Sequence, residues 1–172
     1  QHIYDAKEGD IFWAASDVGW VVGHSFIVYG PLINRNTTII FEGKPIRTPD
    51  ASTFWRVIQE HKVSVMFTAP TAIRAIKKED PNGEFINKYD LASLRILFLA
   101  GERCDVATLE WINQHIPVPA IDHWWQTESG WPMISSMMGV ERLPIKPGSS
   151  GKVVAGYDVR IFSENGQELG PN

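Results

Sequence analysis

Short apolar runs alternate with amphipathic stretches along most of the chain. The runs show almost no polar alternation, which is typical of strands buried on both faces of a sheet. They cover residues 11–15, 37–41, 63–67, 95–100 and 118–121. Between them, apolar side chains recur at helical spacing. This pattern predicts an α/β fold, with a largely parallel sheet and helices on both faces.

Helix signals stand between these runs. Residues 20–32 are apolar almost throughout, and their length favours a buried helix. Thr48 and Pro49 supply an N-cap and a first-turn proline for the next helix. A third helix is predicted over residues 70–78, and Asp105 is the predicted N-cap of a fourth.

The pattern changes towards the end of the chain. After residue 143, glycine and proline become frequent, and runs at 152–155 and 157–162 predict short strands. Asn165-Gly166 is typical of a hairpin turn. We therefore expect residues 1–143 to belong to a large α/β domain and residues 144–172 to begin a small β subdomain.

Composition and charge exclude several classes of function for this chain. Hydrophobic residues make up 44% and charged residues 21% of the chain, as in ordinary globular domains. A net charge of −4 without any Lys/Arg block argues against nucleic-acid binding. Cys104 is the only cysteine, which excludes an internal disulfide and a cysteine-based zinc site. With no signal peptide and no run of 18 apolar residues, we expect a soluble protein of the cytoplasm or mitochondrial matrix that binds no membrane.

The densest group of candidate site residues follows the last apolar run. It comprises Asp122, His123, Trp124, Trp125, Gln126, Thr127 and Glu128. Ligands bind at the carboxyl ends of strands in such sheets, where two indole rings would wall a nucleotide and Glu128 would offer an oxygen to Mg²⁺. Packing in a core would explain a tryptophan pair alone, but buried Gln, Thr and Glu side chains would each need a polar partner.

A second turn, Gly101-Glu102-Arg103, follows the preceding apolar run. If the two strands are neighbours, both turns converge on one crevice, because right-handed crossovers place the carboxyl ends at one edge. Gly101 would let a flat ligand approach the backbone, but the turn could equally serve only to lead into the Asp105 cap. The small side chain of Ala100 either leaves space in a pocket or is ordinary packing.

Other catalytic motifs are missing. There is no Gly-x-Ser-x-Gly elbow, no Gly-x-Gly-x-x-Gly and no pair of histidines at zinc spacing. The sequence Gly-Ser-Ser-Gly at 148–151 lacks the lysine and the helix of a phosphate loop, so it is predicted to be a plain turn.

Six stretches make the chain resemble the AMP-forming acyl-CoA synthetases of the adenylate-forming superfamily. They are Asp17–Ser25, Tyr29–Leu32, Phe41–Pro45, Thr68–Arg74, Leu99–Cys104 and Trp124–Glu128. They follow the order in which the family carries them, and together they are highly specific for it. Within the family they are most similar to the acetyl-/propionyl-CoA synthetase group, propionyl-CoA synthetase above all. The resemblance implies that a short carboxylate and ATP form an acyl-adenylate, from which CoA then takes the acyl group.

The resemblance also implies site residues. The adenylate would be bound by Gly101, Glu102, Arg103, Asp122, His123, Trp124, Trp125, Gln126 and Thr127, with Thr127 near the phosphate and Glu128 on Mg²⁺. The acyl pocket would be formed by Val21, Val22, Ala100 and Trp125, with Trp125 as its floor. The CoA path would include Trp20, Val22 and Ile46, although acetate enzymes often carry Thr and Asn at the positions of Val22 and Ile46.

Ala100 implies a substrate preference. Related acetate enzymes carry Val at this position, and the smaller side chain leaves room for one more methylene, which is worth about 1–3 kcal/mol of discrimination. We therefore expect propionate to be preferred over acetate.

The chain begins at Gln1 rather than Met, and the family's phosphate loop and C-terminal domain are absent from it. We therefore expect an internal fragment that is inactive alone, and its oligomeric state is left open. Two alternatives remain. An adenylation module that loads a carrier protein would share the same residues, whereas a Trp-rich carbohydrate-binding or interaction domain would need exposed tryptophans on an antiparallel fold.

Overall fold

The computed structural model describes residues 1–170. Its main sheet has five parallel strands, β1 Ile11–Ala14, β2 Thr37–Thr38, β3 Val65–Thr68, β4 Ile96–Leu99 and β5 Ala120–Asp122. Their order across the sheet is β2-β1-β3-β4-β5. The predicted parallel sheet is confirmed, although the strand predicted at 37–41 pairs only at its first two residues.

Helices cover both faces of this sheet, as predicted. A π-helical segment, Gly23–Val28, packs on one face with the N-terminal residues and continues into α1, Tyr29–Ile33. On the other face lie α2 Thr53–His61, α3 Pro70–Glu79 and α4 Val106–His115, and a 3-10 turn covers Ile86–Lys88. The chain passes from β1 to β2 and then returns across β1 to β3. Because crossovers are right-handed, this reversal puts helices on opposite faces and opens a crevice at the carboxyl ends of the strands.

The helix predicted at 20–32 is confirmed, but it is only half buried, so the expectation that it is a buried helix was wrong. Val22 and Phe26 are buried against the sheet, whereas Leu32 is 56% and Ile33 is 82% exposed. The few polar positions of this stretch, such as His24 and Ser25, are too sparse to give a periodicity from which the single buried face could be identified.

This helix is tied to β2 at a proline. Pro31 has no N–H to donate to the carbonyl of Ile27. The hydroxyl of Thr38 donates to that oxygen instead, at 2.6 Å. The bond joins the helix to the edge strand and satisfies an acceptor that the proline leaves free.

The helix α2 begins later than the sequence predicts. Its first residue is Thr53, preceded by Ser52, so Thr48 and Pro49 are not its N-cap and first turn. They lie in the preceding loop, where a cis peptide bond joins them. The carbonyl of Thr48 accepts from Thr53 Oγ1 at 2.6 Å, and Asp50 Oδ1 accepts from the Ser52 amide at 2.8 Å. A turn at Asp50 therefore stands between the predicted cap and the helix.

A small antiparallel sheet follows the main one. It pairs β6, Ile134–Ser135, with β7, Lys152–Val153. The strand predicted at 157–162 does not form. Instead, a single bridge joins Phe162 to Glu168 across the predicted Asn165-Gly166 turn. The domain boundary between residues 143 and 144 stays a prediction, and residues 171–172 lie outside the described part of the chain.

Candidate functional site

Two cavities lie side by side at the carboxyl edge of the main sheet. The first, of about 330 Å³, is lined by Gly101, Glu102, Arg103, Asp122, His123, Trp124, Trp125, Gln126 and Ser150. The second, of about 380 Å³, is lined by Ser16, Trp20, Val21, Val22, Phe67, Thr68, Ala69, Ala100, Gly101, Trp125 and Thr127. Gly101 and Trp125 belong to both linings. We call the first the crevice and the second the inner cavity.

The structure brings together most of the residues singled out from the sequence. Eight of the nine residues assigned to the adenylate line the crevice, and Thr127 lines the inner cavity. All four residues assigned to the acyl group line the inner cavity. Of the residues assigned to the CoA path, Trp20 and Val22 line the same cavity, but Ile46 packs against the core on the opposite face of the sheet.

The turn after β4 is held by an ion-pair network. Arg74 of α3 contacts the carboxylate of Glu102 and lies 3.2 Å from Asp105 Oδ2. Asp105 caps α4 as predicted, because its Oδ1 accepts from the Thr108 amide at 2.9 Å. Hydrogen bonds from Thr108 and the guanidinium of Arg74 lower the pKa of Asp105. Gly101 has φ +106°, a conformation that side-chain-bearing residues rarely adopt, so glycine is required at this wall.

Arg103 extends from this turn towards the small sheet. Its Nη2 lies 2.7 Å from where a Cβ on Gly148 would stand, so the absence of a side chain there leaves room for the guanidinium. Ser150 of the same 148–151 segment lines the crevice. The sequence predicts only a plain turn at this segment, and it is the packing of the two sheets that brings it to the site.

The turn after β5 is anchored by buried polar side chains. Asp122 is 8% exposed and accepts from the Cys104 amide at 3.1 Å. Burial raises the pKa of Asp122 and raises that of the Cys104 thiol to about 12. Cys104 is therefore protonated at neutral pH and has the environment of an inert buried thiol rather than a nucleophile.

His123 is directed into the core by its own hydrogen bonds. Both ring nitrogens have protein partners, the Leu99 carbonyl at 2.7 Å and the Tyr4 hydroxyl at 2.8 Å. Burial lowers the pKa of His123 to about 4, so the ring is neutral at physiological pH. The residue borders the crevice, but a ligand could bind the ring nitrogens only by displacing these partners.

The two tryptophans have different surroundings. Trp125 separates the crevice from the inner cavity, with its ring edge-on to Phe26 at a centroid distance of 5.1 Å. Trp124 is 40% exposed, and its amide donates to the Ile134 carbonyl at 2.9 Å. Trp124 therefore ties the main sheet to the small one, while Trp125 forms a wall of both cavities.

Residues 126–130 form an exposed loop, which we call the 126–130 loop. Ser129 Oγ accepts from the Gln126 amide at 3.0 Å. Two hydroxyls from elsewhere hold the loop: Ser25 donates to the Gly130 carbonyl at 2.7 Å, and Tyr157 donates to the Ser129 carbonyl at 3.2 Å. The loop presents Thr127 and Glu128 to solvent beside the two cavities.

Glu128 is the residue assigned to Mg²⁺. Residues 1–170 contain no group of three or more His, Cys, Asp or Glu side chains that could hold a metal ion. Mg²⁺ is often bound by only one or two carboxylates together with the phosphates of a substrate. A single exposed carboxylate therefore fits a metal that arrives with a nucleotide rather than a resident one.

Some residues of the site were not found from the sequence. Ser16, Phe67, Thr68 and Ala69 line the inner cavity at the ends of β1 and β3. They stand at strand ends, the same signal that identified residues 101 and 122, but their types carry no distinctive chemistry. In the described part of the chain, no helix is both long and apolar enough to cross a membrane.

Known proteins resemble this chain along its whole length. It is 53% identical over 169 residues to human acyl-CoA synthetase short-chain family member 3, mitochondrial, covering 97% of this chain and 24% of that protein. It is 46% identical over 171 residues to Escherichia coli propionate–CoA ligase, covering 99% of this chain and 27% of the ligase. The chain thus spans about a quarter of the length of these relatives.

A solved structure has the same fold. The anthranilate CoA ligase AuaEII, in complex with anthranoyl-AMP, superposes with a TM-score of 0.81 and 25% identity, covering 98% of this chain and 30% of that one. The sequence profile described as AMP-binding enzyme matches residues 1–172. The chain therefore belongs to the AMP-binding enzyme family.

Proposed function

We propose that this chain is the central part of a short-chain acyl-CoA synthetase. In the first step, a carboxylate oxygen attacks the α-phosphorus of ATP, and the bond to pyrophosphate breaks. In the second step, the sulfur of CoA attacks the acyl carbon, the bond to AMP breaks and the thiol proton is released. The observation that carries the proposal is the pair of cavities that share Gly101 and Trp125, because an acyl-adenylate needs adjoining spaces for its nucleotide and its acyl group.

The crevice is the proposed adenylate site. The residues of its two turns would contact the adenine and ribose, with Trp125 between the nucleotide and the acyl group. Thr127 would donate to the phosphate from the 126–130 loop. Glu128 would hold Mg²⁺, which when bound neutralises charge on the phosphate oxygens.

The inner cavity is the proposed acyl site, and propionate is the proposed substrate. Ala100 lines this cavity together with Val21, Val22 and Trp125. A valine in place of Ala100 would add two methyl groups to this wall and fill the space for the extra methylene of propionate, so acetate would then be accommodated better than propionate. The CoA path is proposed to pass Trp20 and Val22, with Ile46 more remote.

The 172 residues alone are proposed to be inactive, because they span about a quarter of the relatives' length. The substrates would be small molecules, a short carboxylate, ATP and CoA, with no role for nucleic acid or membranes. The proposed compartment is the cytoplasm or the mitochondrial matrix, the latter supported by the mitochondrial relative.

Calorimetric titration of the chain with stable analogues of acetyl-, propionyl- and butyryl-adenylate tests the adenylate site. We expect the propionyl analogue to bind with the lowest Kd. Equal binding of adenosine and of all three analogues would contradict an acyl pocket in the inner cavity.

The substrate preference is tested by Ala100→Val in the natural polypeptide that contains this chain. We expect kcat/KM for propionate relative to acetate to fall about tenfold or more, as one methylene allows. Ala51→Val, at a buried alanine in the opposite core, controls for general overpacking. An unchanged ratio in Ala100→Val would refute the assignment of Ala100 to the acyl pocket. Formation of acyl-adenylate by the wild-type protein without transfer to CoA would favour a module that loads a carrier protein.

A further inference from the structure

His123 bridges the end of β4 and the N-terminal segment. A carbonyl oxygen can only accept, so the Nδ1 atom that lies 2.7 Å from the Leu99 oxygen carries the proton. The Nε2 atom therefore accepts from the Tyr4 hydroxyl at 2.8 Å. His123 and Tyr4 are each 2% exposed, so no water competes for these bonds. The ring has one tautomer and one orientation.

The bond to Leu99 lies where β4 and β5 separate. The Leu99 carbonyl accepts from the His123 amide at 3.0 Å and from the His123 ring at 2.7 Å. Leu99 and Asp122 form the last paired position of the two strands. Immediately beyond stand Ala100 on one side and Trp125 on the other, both lining the inner cavity.

Tyr4 is fixed by the aromatic side chains around it. Its ring lies edge-on to Phe98 at 4.4 Å, to Phe12 at 5.5 Å and to Phe26 at 5.6 Å between centroids. Phe26 in turn packs against Trp125 at 5.1 Å. Tyr4 therefore supports Trp125 by two routes, through Phe26 and through the hydrogen bond to His123.

We propose that His123, held by Tyr4, is a positioning residue that sets the separation of Ala100 and Trp125 and so determines which acyl chain fits the inner cavity. This inference rests on the proposed function, since it concerns the cavity assigned there to the acyl group. His123 itself touches no substrate through its ring. It acts by clamping the two strand ends that carry the cavity walls.

The test compares acyl preference in variants that each remove one of the two hydrogen bonds of the His123 ring, the one to Tyr4 or the one to Leu99. Tyr4→Phe removes the donor to Nε2. His123→Asn keeps an amide nitrogen bonded to Cγ, as Nδ1 is, and can still donate to Leu99. His123→Gln places its polar atoms one bond further out and loses that donor. The readout is kcat/KM for acetate, propionate and butyrate in the natural polypeptide, with thermal unfolding measured alongside.

We expect Tyr4→Phe and His123→Gln to change the propionate-to-butyrate ratio of kcat/KM by about fivefold to tenfold, since a shift well below 1 Å at a cavity wall has effects of this order. His123→Asn should retain more of the wild-type ratio than His123→Gln does. Tyr89→Phe is the matched control, because it deletes a hydroxyl that lies 3.0 Å from Ser52 Oγ, away from both cavities.

Acyl ratios within twofold of wild type in both Tyr4→Phe and His123→Gln, with only a lower Tm, would show that the pair is merely structural and would overturn the proposal. If His123→Gln does not fold, Tyr4→Phe decides, because it removes a single oxygen. A wild-type protein that forms no acyl-adenylate with any of the three acids would refute the proposed function itself, and this inference with it. That outcome is distinct from active variants with an unchanged ratio.

Discussion

The two turns that follow β4 and β5 and the 126–130 loop are neighbours, but they are held in different ways. Buried side chains anchor the turns at the strand ends, with Asp122 bonded to the Cys104 amide and His123 to the Leu99 carbonyl, and the more exposed ion pairs of Arg74 add to the first turn. The loop is exposed, and two side-chain hydroxyls, those of Ser25 and Tyr157, connect it to distant parts of the chain. A buried hydrogen bond is costly to break because its groups would be left without partners, whereas water can replace an exposed one.

We relate this contrast to the different roles proposed for the turns and for the 126–130 loop. Selecting a base and an acyl group requires walls at a fixed separation. Under the proposed function, phosphates and Mg²⁺ would arrive, change charge and leave, and the residues proposed to bind them, Thr127 and Glu128, lie in the exposed loop. Three perturbations, in decreasing order of expected effect, test whether the two regions differ as described.

Acidification should destabilise the pinned turns most. The folded-state pKa of His123 is lowered from 6.5 to about 4, so the unfolded chain binds a proton that the folded one rejects. The stability that the neutral ring contributes is fully present above pH 6.5 and is lost as the pH falls towards 4, up to about 3 kcal/mol. Unfolding by urea at a series of pH values measures this loss.

His123→Asn has no titrating ring, so its unfolding free energy should depend less on pH across the same interval. Other titrating groups are common to both proteins and cancel in the difference. Parallel pH profiles for wild type and His123→Asn would contradict the assigned burial of the imidazole.

Replacing Gly101 should affect stability and binding together. At φ +106° an alanine is strained, by about 1–3 kcal/mol. Gly9→Ala is the matched control, since Gly9 has φ +85° and a Cβ added there would meet no atom within 4 Å. We expect both variants to unfold more easily, but only Gly101→Ala to weaken binding of the propionyl-adenylate analogue. Equal affinities of the two variants for the analogue would show that Gly101 does not contribute to the binding site.

Ser25→Ala should have the smallest effect. Loss of its bond to the Gly130 carbonyl is expected to lower the free energy of unfolding by about 0.5–1.5 kcal/mol. Because the bond holds the 126–130 loop, KM for ATP should rise while the propionate-to-acetate ratio stays unchanged. Ser52→Ala is the control, because it removes a hydroxyl remote from the site and should leave both KM for ATP and the propionate-to-acetate ratio unchanged. An altered propionate-to-acetate ratio in Ser25→Ala would contradict the separation of the two regions.

Much of the site could be predicted because strand ends are marked locally. The non-alternating apolar runs identify strands that are buried on both faces, and the residues just after each run must then lie at one edge of the sheet. Residues 100–103 and 122–127 are correctly brought together on this basis. Ser150 is missed, because the path from the small sheet back to Arg103 has no sequence signal.

Local pattern and the order of the motifs are sufficient to establish the parallel sheet, the position of the two turns and the family. They are not sufficient to establish that the 20–32 stretch is half exposed, that α2 starts at Thr53 or that the ring of His123 points into the core, all of which emerge from packing. Burial and hydrogen-bond partners depend on residues that are distant in the chain, Tyr4 and His123 being 119 positions apart. No local pattern carries that information, because it arises only when the elements pack.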